Sequence, residues 1–186
     1  MGSVESDRDL VLALRARRPG AFDNLYLRYH ERIWRFLARL AGEGAEDLFQ
    51  ETWLAVARHV HALREDTTLL PWLFTIARNK HRNGLRTWVR QSRQRQEMRA
   101  LDTAAQVPLD EKVHALRQAE QTWVAFARLP RAHREVLLLC VLEGFDASEA
   151  AAILACTDEA VRKRLSRARQ ELARLVGRHE PGGSTP

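Results

Sequence analysis

The sequence predicts an all-α protein of two small helical domains joined by a flexible linker, the second domain containing a helix-turn-helix. Over most of the 186 residues, apolar side chains recur at steps of three and four, as in amphipathic helices, and no stretch alternates as strands do. With 45% hydrophobic residues, 9 Gly and 6 Pro, extensive disorder and collagen-like repeats are excluded. Small, weakly periodic residues around Pro108 predict the linker at 100–112. We therefore expect domains over 1–99 and 113–178, and a disordered tail over 179–186.

Four helices are expected in the first domain. A weak helical pattern covers residues 7–17, and a clear amphipathic pattern covers 20–40. After a glycine-containing break, a third helix is expected over 45–62. The polar stretch LREDTTL separates it from a long helix over 69–95, whose first turn tolerates Pro71.

Four more helices are expected in the second domain. One covers about 111–128, and an apolar one covers 136–142 and ends before Gly144. Two short helices follow over 147–154 and 158–176, separated by a short turn, which is the arrangement of a helix-turn-helix. The apolar face of the first short helix is expected to consist of Ala151, Ala152 and Leu154.

The last helix has the pattern of a recognition helix. Ser148 is expected to cap the helix before it, and Thr157 to cap the recognition helix itself. Its apolar stripe consists of Val161, Leu165, Ala168, Leu172 and Leu175. Its cationic flank consists of Arg162, Lys163, Arg164, Arg167 and Arg169. Such a helix suits the major groove of DNA, and the alternative is a solvated basic helix on an ordinary bundle. The turn has Ala155 where a glycine usually eases the bend.

Charge is segregated along the chain, although the net charge is only +6. Residues 43–72 carry 6 acidic and 2 basic side chains, and residues 73–99 carry 8 basic and 1 acidic. Residues 100–156 carry 8 acidic and 5 basic side chains, and residues 157–178 carry 7 basic and 3 acidic. Either basic block alone is equally well explained as a solvated face. Two such blocks, each on a helix beside an apolar stripe, indicate a polyanion bound at two places.

An acidic face is expected on the third helix. Opposite its apolar side (Phe49, Trp53, Val56 and Val60) lie Asp47, Gln50, Glu51, Leu54 and Arg58. This face is either simply solvated or a docking surface for a basic partner. Metal binding and acid–base catalysis are disfavoured, because no histidine or third carboxylate completes a site.

A basic stripe is expected on the fourth helix. Arginines recur at steps of four, four, four and three, at Arg78, Arg82, Arg86, Arg90 and Arg93. Amides and further basic groups flank them, at Asn79, Lys80, His81 and Asn83. Trp72 and Trp88 on the same helix are either core residues or base-stacking residues. Together these groups are suited to holding unstacked single-stranded DNA.

No membrane insertion, catalytic residue, cofactor or metal site is predicted. No stretch approaches the length of an apolar membrane span, and the acidic start lacks the order of a signal peptide. Cys140 and Cys156 form no CxxC motif, and no His/Cys cluster has zinc spacing. The sequence therefore predicts a reduced, cytoplasmic protein.

Three segments, together with the recognition helix, resemble the extracytoplasmic-function (ECF) sigma factors, the smallest members of the sigma-70 family. They are AEDLFQETWLAVARHV (45–60), PWLFTIARNKHRNGLR (71–86) and LPRAHREVLLLCVLEGFDASEAAAIL (129–154), and the resemblance spans about 8–176. It implies a transcription initiation factor, without enzymatic activity, that binds core RNA polymerase (the β′ clamp helices and the β subunit) and recognises and melts promoter DNA. Family members are often held inactive by an anti-sigma factor, which the exposed faces expected here would permit.

The resemblance also implies which residues bind each partner. Core polymerase would be bound by Glu46, Asp47, Gln50 and Glu51. The −10 element would be recognised by Arg64, Arg78, Asn79, Arg82, Asn83 and Arg86. The −35 element would be read by Arg162, Lys163, Arg164 and Arg167. The chain departs from the family at Asn83, where an aspartate is common.

Two other functions fit parts of the pattern. A helix-turn-helix regulator would bind duplex DNA independently of polymerase, and it would do so tightly as the isolated protein. A nucleic-acid-processing enzyme would need a metal or nucleophile constellation, which the sequence does not offer.

Overall fold

Helices are the regular elements of the chain wherever the structure describes it. The structure is a computed structural model that describes residues 6–92 and 121–177, with the backbone alone over residues 85–92. The all-α prediction is confirmed, since these ranges contain no strand. The predicted linker and the predicted disordered tail lie outside them.

The first domain contains the four expected helices. They are α1 (Asp7–Arg15), α2 (Ala21–Ala41), α3 (Ala45–His59) and α4 (Leu69–Ser92), with single 3-10 turns at Gly42–Gly44 and Val60–Ala62. Helix α1 begins where the Ser6 hydroxyl accepts a hydrogen bond from the Asp9 backbone N–H at 3.2 Å. In the core, the rings of Phe36 on α2 and Phe74 on α4 lie 5.0 Å apart, and both side chains are fully buried. This contact packs α4 against α2 in the core.

Four helices also lie within residues 121–177, the part of the second domain that the structure describes. The described part of α5 covers residues 121–127, and it is followed by α6 (Arg131–Leu137), α7 (Ala147–Leu154) and α8 (Asp158–Gly177). The apolar helix expected over 136–142 is longer than predicted, because a polar turn that begins after Pro130 precedes its apolar run. Its last residues, Leu138–Leu142, form a π-helical turn in which the Glu143 N–H reaches back to the Leu138 carbonyl.

The capping of α7 differs from the prediction, whereas that of α8 agrees with it. Ser148 is not the cap of α7. Asp146 accepts from the Glu149 N–H at 2.8 Å while the Glu149 carboxylate accepts from the Asp146 N–H at 3.0 Å, forming a capping box. The hydroxyl of Thr157 accepts from the Ala160 N–H at 3.2 Å, which confirms the predicted cap of α8.

The buried face of α7 is also shifted by one position from the prediction. Ala150, Ala151, Ile153 and Leu154 are buried, whereas Ala152 is exposed. The stripe expected on α8 is confirmed, with Val161 and Ala168 fully buried and the three leucines partly buried against the core.

The two domains pack against each other. Helix α4 lies on α7, and the ring of Phe74 meets that of Phe145 edge-on at 5.0 Å. In a further contact between the domains, the Arg39 guanidinium lies 5.6 Å from the centre of the Trp123 ring. The buried side chains of both domains consequently form one continuous apolar core.

Candidate protein and nucleic-acid interfaces

The acidic face of α3 is exposed to solvent. Glu46, Asp47, Gln50 and Glu51 are all exposed, and Leu54 in the same face keeps 57% of its surface accessible. Glu51 lies 3.5 Å from the Lys80 ammonium, and both groups are solvated, so the pair holds neither side chain firmly. The structure thus places the four predicted polymerase-binding residues within about one and a half turns of one helix, and the exposed Leu54 follows them about one turn later.

An aromatic groove runs beside this acidic face, between α2 and α3. Tyr26 and Trp53 meet edge-on at 4.8 Å, and Trp34 meets Phe49 at 5.5 Å. The groove is completed by Phe22, Gln50, Leu54 and Ala57. Phe49 was expected in the core but is only partly buried, since it forms a wall of this groove. The groove could not be predicted from the sequence, because aromatic residues at the edge of the buried face recur at the same three- and four-residue spacing as core residues.

The basic stripe of α4 divides into two environments. Arg78 is buried, with 7% of its surface accessible, and its Nε donates to the Glu135 carboxylate of α6 at 3.2 Å. Asn79 and Arg82 are partly buried, and Asn83 is exposed. The side chain of Arg86 lies outside the described part of the chain. Only part of the predicted −10 surface is therefore open to solvent in this arrangement.

Arg64 lies apart from these residues, in the loop before α4. Its guanidinium donates two hydrogen bonds to the Asp66 carboxylate, at 3.1 and 3.2 Å, and both side chains are largely exposed. These hydrogen bonds from Arg64 lower the pKa of Asp66 below its ordinary value. The pair leaves Arg64 accessible to an anionic partner.

His81, one helical turn beyond Arg78, is buried at the contact between the domains. Burial lowers its pKa to about 4; the neighbouring Glu135 carboxylate opposes this shift, while Arg131, Arg134 and Arg78 reinforce it. His81 is consequently neutral at physiological pH. Sequence reasoning placed it among the flanking groups of the DNA stripe, but here it belongs to the domain contact.

The cationic flank of α8 faces solvent. Arg162, Lys163 and Arg167 are exposed, and Arg164 is partly buried. Lys163 lies 2.6 Å from the Glu159 carboxylate and Arg162 lies 3.8 Å from that of Asp158, each pair one turn apart. Because these pairs are solvated, they are weak and can be exchanged for phosphate contacts. The structure thus presents the predicted −35 residues on an accessible helix surface.

Within residues 6–92 and 121–177, no cluster of three metal-ligating side chains is found, and none of the helices combines the length and apolarity that a membrane crossing requires. Burial raises the pKa of the Cys140 thiol, which keeps it in its less reactive protonated form.

Comparison with known proteins gives matches along both domains. Residues 25–92 match sigma-70 region 2, and residues 119–172 match sigma-70 region 4. The chain is 33% identical over 162 residues to RNA polymerase sigma factor CarQ of Myxococcus xanthus, covering 86% of this chain and 91% of that protein. It is 30% identical over 181 residues to ECF RNA polymerase sigma factor SigM of Mycobacterium tuberculosis, covering 92% of this chain and 85% of that protein.

Solved structures agree with these matches. The sigma factor RpoE, in complex with the anti-sigma factor NepR from Bartonella quintana, superposes with a TM-score of 0.70 at 26% identity, covering 87% of this chain and 99% of that one. CnrH, in complex with the cytosolic domain of CnrY, superposes with the same score at 23% identity, covering 94% and 99%. The second likeness concerns the fold alone.

Proposed function

The chain belongs to the ECF group of the sigma-70 family, and on that premise we propose that it binds core RNA polymerase through its first domain and promoter DNA through both. Its activity is to direct promoter recognition, DNA melting and transcription initiation. The observation that carries this proposal is the pairing of an exposed acidic and apolar face on α3 with two separate basic helices, α4 and α8. A regulator that binds duplex DNA without polymerase is not favoured, because it leaves the face of α3 without a role.

Helix α3 is the proposed docking element for the β′ clamp helices. Asp47, Gln50 and Glu51 supply negative charge and hydrogen-bond acceptors around Leu54. Because 57% of the surface of Leu54 is accessible, covering it with apolar partner surface contributes about 1–2 kcal/mol. The surrounding carboxylates then set the orientation and the rate of encounter with a basic partner. The aromatic groove beside them provides a rigid wall for the same partner.

Charge reversal tests this docking face. The double variant Asp47→Lys/Glu51→Lys should lose association with core polymerase, measured by co-migration in gel filtration or by fluorescence anisotropy. The matched control is Glu31→Lys, an exposed carboxylate on α2 outside the acidic face and the groove. Circular dichroism should show unchanged helix content in both proteins. Normal association of the double variant would reject α3 as the docking element.

Helix α8 is the proposed reader of the −35 element. Its 20 residues make it about 30 Å long, and its basic flank begins within the first two turns. The early residues Arg162 and Lys163 would face base edges or phosphates, and Arg167 a phosphate. Arg64 and the basic residues of α4 would take up the unstacked −10 strand. Capture of flipped bases offsets an unstacking cost of a few kcal/mol per base.

The remaining parts of the proposal follow the family. We propose a cytoplasmic protein without enzymatic activity of its own, acting only through the polymerase that it recruits. An anti-sigma partner is also part of the proposal, since the relative RpoE was solved in complex with one. The uncovered Leu54 and the aromatic groove offer apolar surface for it, so the regulator and the polymerase would compete.

A further inference from the structure

A cavity of about 720 Å³ lies where α2, α3 and α4 of the first domain face α5 and α6 of the second. Its volume falls within the range of about 300–1,000 Å³ that small-molecule sites occupy. Nitrogen donors line it at Arg39, His81 and Arg134, and apolar surface lines it at Leu48 and Ala127. The three donors belong to none of the surfaces proposed for polymerase and promoter DNA.

Two buried nitrogen atoms of the residues that line this cavity lack hydrogen-bond partners. Among the residues that the structure describes, none forms a hydrogen bond with Nδ1 of His81 or with Nε of Arg134. His81 keeps only 4% of its surface accessible. Buried polar atoms in proteins are nearly always satisfied by protein groups, by water or by a ligand. Two unsatisfied nitrogen atoms around one cavity therefore indicate that a polar molecule occupies it.

The charge of Arg134 is not balanced by a carboxylate of its own. Burial lowers the pKa of Arg134, while the nearby Glu135 carboxylate opposes this shift and Arg131 reinforces it. That carboxylate already pairs with Nε of Arg78 at 3.2 Å and with Nε of Arg131 at 3.1 Å. Arg134 is consequently a partly buried cation that shares its counter-charge with two other arginines. An anion in the cavity would supply the charge that is missing.

Arg39 adds a second guanidinium group to the same cavity. It lies 5.6 Å from the centre of the Trp123 ring, a cation–π contact that orients the side chain without using its hydrogen-bond donors. Water would satisfy the two buried nitrogen atoms but would leave both cations without a counter-charge. Two guanidinium groups and an imidazole favour a phosphate, which presents several acceptor oxygens and carries about two negative charges near neutral pH.

Two carboxylates also line the cavity. Asp47 and Glu51 reach it from α3, and both side chains are exposed. Carboxylates accept hydrogen bonds from hydroxyl and amino groups, and they repel a bare phosphate ion. They therefore favour a phosphate that is attached to an organic group with such donors. The apolar surface of Leu48 and Ala127 suits the carbon skeleton of that group.

We propose that this cavity binds a phosphorylated small molecule. Its phosphate is held by Arg39, His81 and Arg134, and its hydroxyl or amino groups are held by Asp47 and Glu51. Binding of such a molecule depends on neither polymerase nor DNA, so it goes beyond the proposed function. Sugar phosphates and nucleotides share this chemistry, and the choice of probes distinguishes them.

Calorimetric titration of the full chain tests the site with four probes. Ribose 5-phosphate and AMP should bind at one site per chain. Ribose and adenosine, which lack the phosphate, should bind at least about tenfold more weakly. Tighter binding of AMP would identify a nucleotide as the ligand, whereas equal or tighter binding of ribose 5-phosphate would identify a sugar phosphate.

Removing one cation of the cavity tests which residues hold the phosphate. Arg134→Gln should weaken the binding of both phosphorylated probes about 10–100-fold, because a charge-assisted hydrogen bond is lost. Arg35→Gln is the matched control, since it removes the same charge from an exposed arginine of α2 that does not line the cavity. It should bind as the wild type does. If Arg134→Gln lost its helical circular dichroism, Arg39→Gln would make the same test one helical turn from the control.

Three results would overturn the proposal. They are the absence of binding of both phosphorylated probes at millimolar concentrations, equal weakening by the Arg35→Gln control, and adenosine binding as tight as that of AMP. The titrations use the chain alone, so their failure leaves the proposed function standing. Failure to associate with core polymerase would in turn leave the phosphate site standing.

Discussion

The turn of the helix-turn-helix stores backbone strain at a single residue. Ala155 adopts φ 51° and ψ 53°, the left-handed region, which lets the Cys156 N–H reach the Ala151 carbonyl at 3.1 Å and close α7. Its methyl group is exposed and therefore contributes no core packing. Replacing Ala155 with glycine should relieve the strain and stabilise the protein.

The magnitude follows from two opposing terms. A residue with a Cβ in the left-handed region costs about 1–2 kcal/mol relative to the right-handed one. Glycine loses roughly 0.5–1 kcal/mol more conformational entropy than alanine on folding, which offsets part of that gain. The net expectation for Ala155→Gly is a stabilisation of about 0.5–1 kcal/mol, or a melting temperature higher by about 2 °C.

Urea unfolding, followed by circular dichroism at 222 nm, measures this difference. The matched control is Ala152→Gly, an exposed alanine with helical backbone in α7, which should destabilise by about 1 kcal/mol. The two substitutions remove the same methyl group three residues apart, yet should shift the midpoint in opposite directions. Destabilisation by both would refute the assignment of strain to Ala155.

Three further predictions concern charge and capping. His81 has a pKa of about 4 in the folded protein, against an ordinary value of 6.5. The stability that it contributes as a neutral group is therefore complete above pH 6.5, and it is lost as the pH falls towards 4. Urea midpoints at pH 7 and pH 5 should therefore differ less in His81→Gln than in the wild type, and equal differences would contradict this. Thr157→Ala removes the cap of α8 and should lower the free energy of unfolding by about 1 kcal/mol, measured by urea unfolding, whereas Thr157→Ser should change it little. Arg167→Gln should weaken the salt dependence of holoenzyme binding to promoter DNA, lowering the slope of log affinity against log salt concentration by about 0.9. An unchanged slope would mean that Arg167 does not contact a phosphate.

Much of the fold could be predicted from the sequence, because an amphipathic helix shows apolar residues at every third or fourth position. The exposed face of α3 around Asp47 and Glu51 follows directly from that period, and so does the stripe of α8 that begins at Val161. The cap of α7 was predicted wrongly, because Asp146 and Ser148 are both good caps. Asp146 is the cap because it forms the reciprocal pair of hydrogen bonds with Glu149, each side chain accepting from the other residue's backbone N–H.

The domain contact could not be predicted from the sequence. Arg78 lies on the same periodic stripe as Arg82, and nothing local distinguishes them. Its burial depends on Glu135, 57 positions later, and on how two separate apolar surfaces meet. The sequence pattern of an arginine on a helix is the same whether its partner is a phosphate or a carboxylate, so the pairing becomes visible only when the domains are placed together.

In vitro transcription tests the central claim most directly. Core RNA polymerase would be incubated with the purified chain and a library of templates randomised over the −35 and −10 regions, and the transcripts would be sequenced. The account predicts transcripts that depend on the added chain, with two enriched motifs at promoter spacing, and their loss with Asp47→Lys/Glu51→Lys but not with Glu31→Lys. Absence of chain-dependent transcripts, or enrichment of a duplex motif without transcription, would contradict it.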